Sequence, residues 1–320
     1  MGEPWGQNQK MNNIDVVVIG RSCLDYIAVV DKFPMENQKV ALKFRLTEGG
    51  GQGGTASCCI SRLGGKVAYV GRIGDDEEGR FCLKRLTDFR VDTQFVDIVK
   101  NGKTPVAYVF VTTNGGERTI IYERNALPAI TLEDWLADLV RRGEIVLLDP
   151  EVTYLGGPLK TATAGRIKIV YDAERWRQGI ETIMETADFF IPSSEFLDSK
   201  ALNFGNISLE QKIINLSHRV HGQLIVTHGE NGVYYVSEKK LYHVAAPQVK
   251  AIDTIGAGDN FHGAFALALK KGDNLAQAVK FSVAVASLSC RQYGGREGVP
   301  TWDQAQAMAT TLTATVVSTL

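Results

Sequence analysis

The chain has 320 residues, of which 44% are hydrophobic and 22% charged, with 35 Lys and Arg against 36 Asp and Glu. That is long enough for a full core, ordinary in composition for a soluble globular protein, and without the basic excess that nucleic acid would demand of a main partner. Five scattered cysteines (Cys23, Cys58, Cys59, Cys82, Cys290) form no C-x-x-C pair, so reduced, buried thiols are expected rather than a disulfide frame or a metal site. No run of 18 apolar residues predicts a membrane span, and a cytoplasmic enzyme is the expectation.

Along the chain, residues 1–12 lack an apolar signal core and are read as a disordered tail ahead of one domain over 13–320. Ile14–Gly20 reads as a short buried strand, Thr55–Leu63 as a helix of small residues, and Lys66–Gly71 as the next strand. Further buried strands are expected at Glu144–Leu148, Arg166–Tyr171, Phe189–Ile191 and Leu224–Thr227, with helices at Leu132–Arg142, Ile180–Glu185 and Gln211–His218 between them. This alternation predicts an α/β fold with a central, mostly parallel sheet flanked by helices. Two pieces break the rhythm, about 36–48 and 104–125. Val40–Glu48 and Pro105–Glu123 have longer strand character, and Asn114-Gly115-Gly116 marks a hairpin turn. They predict a small antiparallel β lid. The C-terminal third reads as helical: Asp259–Lys271 stops at Gly272, and Asp273 is expected to cap a second helix over Leu275–Arg291.

Two glycine-rich segments compete for the chemistry. "GGGQGG" (Gly49–Gly54) satisfies G-x-G-x-x-G, and Asp75 lies where a ribose-binding acid would. A dinucleotide-dependent oxidoreductase is therefore a rival reading. It is disfavoured because the first buried strand, Ile14–Gly20, leads into Arg21–Asp25 rather than into a glycine loop. A P-loop pattern is absent. The other segment, "DTIGAGDNFHGAFALAL" (Asp253–Leu269), leads small residues into a helix whose start carries a carboxylate. Free N–H groups of Gly256, Ala257 and Gly258 would stabilise a migrating phosphoryl group. Asp259 beside them would accept the proton of an attacking hydroxyl, as in-line transfer requires. A plain N-cap is the bland alternative for Asp259. His262 reads as a packed helix residue.

Asp253–Leu269 closely resembles the D-T-x-G-A-G-D signature of the ribokinase-like, PfkB-type carbohydrate kinases. Gly49–Phe81 resembles that family's N-terminal signature, Ile225–Val236 its T-x-G-x-x-G nucleotide segment, and Gly294–Pro300 the loop on its adenine and cation side. Four segments in the right order cover nearly the whole chain. The resemblance implies the ribokinase-like fold, with a lid that often dimerises, and an ATP-dependent sugar kinase using Mg²⁺ and, in many members, K⁺. It implies Asp259 as catalytic base and Gly256, Ala257 and Gly258 as anion hole. Thr227, Gly229 and Gly232 would contact ATP phosphates and ribose. Asp25, Gly50 and Gly51 would bind the sugar, and the backbone at Asp253 and Ile255 would hold K⁺.

Three departures bear on these expectations. Thr55 stands where many members have Asn in the sugar site. Ser193-Ser194-Glu195-Phe196 replaces N-x-x-E, leaving Glu195, one residue out of register, as a candidate for the Mg²⁺ water shell or a surface acid. Asn260 follows the base where a small residue is common. Arg118, Tyr122, Arg124 and Asn125 lie at the mouth of the lid. Arg118 or Arg124 turned inward would favour an anionic sugar. The run Gly116–Leu127 also resembles lids of fructokinase and ketohexokinase types, which favours a ketose or ketose-like substrate, with ribose, nucleosides and sugar acids as alternatives. A non-catalytic sugar or nucleotide sensor on the same fold is the third reading.

Overall fold

The computed structural model describes residues 14–113, 117–123 and 127–320. The expected tail over 1–12, the turn at 114–116, and Arg124 and Asn125 lie outside them. The strands in chain order are β1 (Val16–Ile19), β2 (Cys23–Val30), β3 (Phe44–Gly50), β4 (Val67–Gly74), β5 (Asp92–Val99), β6 (Val106–Thr112), β7 (Arg118–Tyr122), β8 (Ile145–Leu148), β9 (Lys168–Ala173), β10 (Phe189–Pro192), β11 (Gln223–Thr227), β12 (Val233–Ser237), β13 (Lys240–Val244) and β14 (Ala314–Thr319). The helices are α1 (Gln52–Arg62), α2 (Glu77–Asp88), α3 (Asp134–Gly143), α4 (Gly156–Ala162), α5 (Ile180–Thr186), α6 (Leu209–Ser217), α7 (Ala257–Lys270), α8 (Leu275–Ser289) and α9 (Trp302–Ala309).

Ten strands form the large sheet in the order β14-β13-β12-β11-β10-β9-β8-β1-β4-β5. From β5 to β11 all neighbours are parallel, and β12, β13 and β14 extend the sheet antiparallel. The all-apolar β1 explains its central place. Val16 and Val18 enter the core on one face, with α1, α7 and α8, while Val17 and Ile19 enter the core on the other, with α3 to α6. A strand buried on both faces reads as a continuous apolar run rather than an alternating one. The order reverses around β1, whose neighbours are β4 and β8. A crevice therefore opens past the carboxyl ends of β1 and β8, where open α/β sheets bind ligands.

The lid is a four-stranded sheet in the order β3-β2-β6-β7. It is antiparallel as expected except for one parallel pair, β2 with β6. Its central strand β2 has no counterpart in the sequence reading, which takes Arg21–Asp25 only as a segment that is not a glycine loop. β3 starts at Phe44 rather than Val40. The inner lid face (Ile27, Val29, Ala107, Val109, Val111) packs over Ile255 and Tyr293 of the main body.

Two expectations for the C-terminal third are corrected. It is not wholly helical, because β14 returns to pair with β13. The cap of α8 is Asn274, not Asp273: Asn274 Oδ1 accepts from Gln277 N and Gln277 Oε1 accepts from Asn274 N, both at 3.0 Å. The reciprocal pair satisfies two helix-start donors at once.

Candidate active site

Helix α7 begins on the crevice. Its N-cap is Gly256, in the left-handed region (φ 70°), and no side chain caps the turn. A Cβ on Gly256 would lie 2.8 Å from Gly295 Cα and 3.1 Å from Thr55 Cγ2, so only glycine fits both the conformation and the space. Ala257 N–H reaches Thr254 O only at 3.4 Å, and among the described residues no hydrogen bond occupies the N–H of Gly258 or Asp259. Asp259 sits in the first turn without capping it. The result is a helix start with donors directed outward and a carboxylate at their side.

Burial pushes the Asp259 carboxyl up to about 7, with the nearby Asp172 carboxylate adding to the rise and His262 opposing it. A carboxyl with that value is matched to proton transfer at neutral pH. Asp172, at the end of β9, is also buried, and burial holds its own pKa well above the usual carboxylate range.

The expected sugar residues gather opposite. Asp25 on β2 lies against Gly50 on β3, so closely that a Cβ on Gly50 would meet the carboxylate at 2.1 Å. Gly51 is the N-cap of α1, and Thr55, buried on α1, touches the turn at Gly256. Burial raises Asp25 to about 6, while the Cys23 thiol, donating at 3.2 Å, and the charge of Arg296 hold it down. From the lid, Arg118 donates from Nη1 to Thr254 Oγ1 (3.0 Å), so the lid reaches across to the α7 loop. Tyr122 stays exposed on β7.

On the other flank, Thr227 ends β11 and bridges to Ser193 after β10. Gly229 and Gly232 bound the next tight turn, both at positive φ. His262 Nε2 lies 3.2 Å from Ile191 O on β10, which ties the base of α7 to the strand beside Thr227.

The metal expectations fare unequally. Asp253 is buried, and its carboxylate accepts from Ile255 N and Gly294 N, both at 2.9 Å. Asn260 Nδ2 donates to Gly295 O (2.8 Å) while its buried Oδ1 has no partner. Two backbone loops, 253–256 and 290–295, are thereby clamped side by side beside an orphaned acceptor, which fits a weakly hydrated monovalent cation. Glu195 is exposed on a 3₁₀ turn (Ser194–Asp198), and the buried place beside it goes to Phe196, packed on Trp176 and Phe190. Ser194, the neighbour of Glu195, lies 2.8 Å from His228 Nδ1, one residue past Thr227. Among the described residues no group of three His, Cys, Asp or Glu side chains could hold a metal. A magnesium ion here fits only as one carried largely by nucleotide phosphates and water.

Several residues were not found from the sequence. Asp149 follows β8 and takes the backbone N–H of Arg21. Arg21 Nη2 donates to Gln52 Oε1 (3.0 Å), Gln52 to Glu174 (3.2 Å), and Arg177 to both Glu174 (2.9 Å) and Glu151 (2.7 Å). Arg296, in the loop expected near adenine, is fully buried and runs under Gly49 and Gly50, donating from Nη2 to Gly50 O at 2.8 Å. No local pattern marks these side chains, because each partner comes from a different part of the chain.

The sequence profile of "pfkB family carbohydrate kinase" matches residues 13–302. The chain belongs to the pfkB family of carbohydrate kinases. It is 29% identical over 284 residues to "Probable fructokinase-5" of Arabidopsis thaliana (81% of this chain, 87% of that one) and 26% identical over 298 residues to the ribokinase of Bacillus subtilis (92% and 99%). The fold matches the Arabidopsis thaliana ribokinase solved with ribose and ATP, with a TM-score of 0.76 at 24% identity, over 92% of this chain and 98% of that one. The kinase is accordingly a phosphotransferase acting on an alcohol group. The rival dinucleotide reading falls: β3 ahead of Gly49–Gly54 belongs to the lid, and Asp75 is exposed. Among the described residues no helix is long and apolar enough to cross a membrane.

Proposed function

We propose that this kinase transfers the γ-phosphoryl of ATP to a sugar hydroxyl, with Asp259 as general base. The observation that carries the reading is the uncapped start of α7, where free N–H groups and the Asp259 carboxyl face one crevice. Asp25, Gly50, Gly51 and Thr55 hold the sugar with its reacting hydroxyl toward Asp259. Thr227, Gly229 and Gly232 hold the nucleotide, and the N–H groups from Gly256 to Gly258 take the charge that spreads over the migrating phosphoryl oxygens. Magnesium supplies charge neutralisation across the phosphates. The clamped loops at Asp253, Ile255 and Gly295 suit K⁺ beside the anion hole.

Arg118 bridges the lid to Thr254, and lid closure excludes water from the transfer. Arg21 and Arg177 are already paired with carboxylates, so neither stands as a bare cation for a sugar acid. Arg118, the cation expected to favour an anionic sugar when turned inward, does reach the α7 loop at Thr254, so the ketose or ketose-like sugar rests on the lid resemblance and a sugar acid is the alternative. The outer lid face exposes Tyr108 (47%) and Ile121 (57%), with Tyr26 stacked on Tyr108; a second copy of the chain covers it in a homodimer. The kinase works in the cytoplasm.

The deciding experiment measures ADP release over sugars, sugar acids and nucleosides, with and without K⁺, for the native protein and Asp259→Asn. The variant loses turnover by roughly 10²–10⁴-fold, the usual worth of a general base, and keeps ATP affinity. Near-native turnover in Asp259→Asn rejects the reading.

A further inference from the structure

His262 lies three residues after the base on α7 and is buried, as is Asp172 on β9. Its Nδ1 is 2.7 Å from Gly258 O and its Nε2 is 3.2 Å from Ile191 O. Both partners are backbone carbonyls and can only accept. On the Nε2 side stands a third oxygen, Asp172 Oδ1, at 3.6 Å. A neutral imidazole has one N–H and one lone pair. With Nδ1–H given to Gly258 O, a neutral ring would turn its Nε2 lone pair toward two oxygens, one of them an ionised carboxylate. One more proton relieves that conflict: on Nε2 it serves both oxygens, and on the facing Asp172 oxygen it serves the carboxylate contact.

We infer that Asp172 and His262 hold that proton between them, and that this net-neutral pair is a positioning device for Asp259. The pair does two things. It cancels the like charge that an ionised Asp172 would place beside the base. It also fixes, through the Nδ1–H bond, the peptide linking Gly258 to Asp259, whose N–H belongs to the anion-binding turn. The other charged groups facing the pair and the base are Asp149 after β8, Glu174 and Arg177 after β9, and Arg118 of the lid. Glu174 and Arg177 are paired with each other. The depressed basicity of His262 and the raised pKa of Asp172, both caused first by burial, give the same total proton count for the pair.

The inference rests on Asp259 being the base, so its test has one arm without turnover. Ring ¹⁵N spectra of the histidine-labelled protein identify His262 among five histidines as the signal missing in His262→Gln. The expected result is a ring that stays protonated or strongly hydrogen-bonded at both nitrogens through pH 7 and loses this state in Asp172→Asn. A ring that titrates as a lone imidazole, unchanged by Asp172→Asn, overturns the inference. The second arm is the acid limb of kcat/KM. In Asp172→Asn the pair stays net-neutral and the limb keeps its native position, whereas His262→Gln leaves Asp172 to ionise without a partner and moves the limb up by about one unit, the scale of a nearby like charge. A merely structural pair would lower kcat or thermal stability and leave both limbs in place, which also overturns it. Should His262→Gln fail to fold, the His262 signal is assigned as the one that survives substitution of each of the other four histidines in turn, and the native and Asp172→Asn spectra still decide. An active Asp259→Asn, by contrast, rejects the base assignment and leaves the spectral arm standing.

Discussion

Asp259 answers a conflict set by its own sequence: a carboxylate at a helix start that attracts anions. The proposed function divides the labour, amides for the phosphoryl group and carboxyl for the alcohol. The pKa near 7 has two consequences of known sign. Activity needs the ionised base, so kcat/KM rises with pH through about 7 and then levels; a pH–rate profile with no acid limb between 6 and 8 contradicts this. The folded-state value lies above the unfolded value of 3.8, so the native state binds the proton more tightly. Its contribution to stability is full below pH 3.8 and is lost as pH rises through about 7. Asp259→Asn should therefore melt at higher temperature than the native protein at pH 8, and the gap should shrink steadily as the pH falls toward 3.8, as thermal scans across that range will read. A site that destabilises its own fold at working pH is the usual trade of stability for activity.

At the scale of elements, two helix starts make opposite use of the same backbone. The start of α8 is closed by Asn274 and Gln277, and its role is stability alone. Asn274→Ala should cost about 1 kcal/mol, visible as a lower unfolding midpoint in denaturant with kcat unchanged. The start of α7 is left open, and glycine holds it open. Gly256→Ala forces an L residue into the left-handed region, at about 1–2 kcal/mol, and drives a methyl into Gly295. The turn must move, so turnover should collapse by far more than the stability loss explains; kinetics measured well below the melting temperature separate the two. A Gly256→Ala enzyme with native kcat would mean that the turn does not hold the transferring group.

At the scale of the whole molecule, the proposed function makes the lid the link between sugar binding and assembly. Its inner face packs over Ile255 and Tyr293 and carries Asp25 and Arg118 to the crevice. Its outer face leaves aromatic and aliphatic side chains in water, a pattern that marks contact surfaces. Tyr108→Glu with Ile121→Arg should convert a dimer to a monomer by light scattering and raise KM for sugar, since the lid loses its backing. A native protein that is already monomeric at micromolar concentration removes this proposal.

The parallel sheet was legible because central strands such as Val16–Ile19 are buried on both faces and must be apolar throughout. The α7 turn was legible because glycine, small residues and one carboxylate are needed at fixed neighbouring positions, and such local demands leave a pattern. β2 escaped notice since Asp25 faces a site while Tyr26 faces outward, which interrupts the apolar signal. What only the tertiary structure decided is whatever depends on partners far apart in the chain: Arg296 under Gly50, Asp172 against His262, Asn260 on Gly295, and Glu195 left in solvent. Chain order fixes which side chains are available. The packing of α7 across the strand ends decides which of them lose water together, and in that shared desolvation lies the electrostatics of the site.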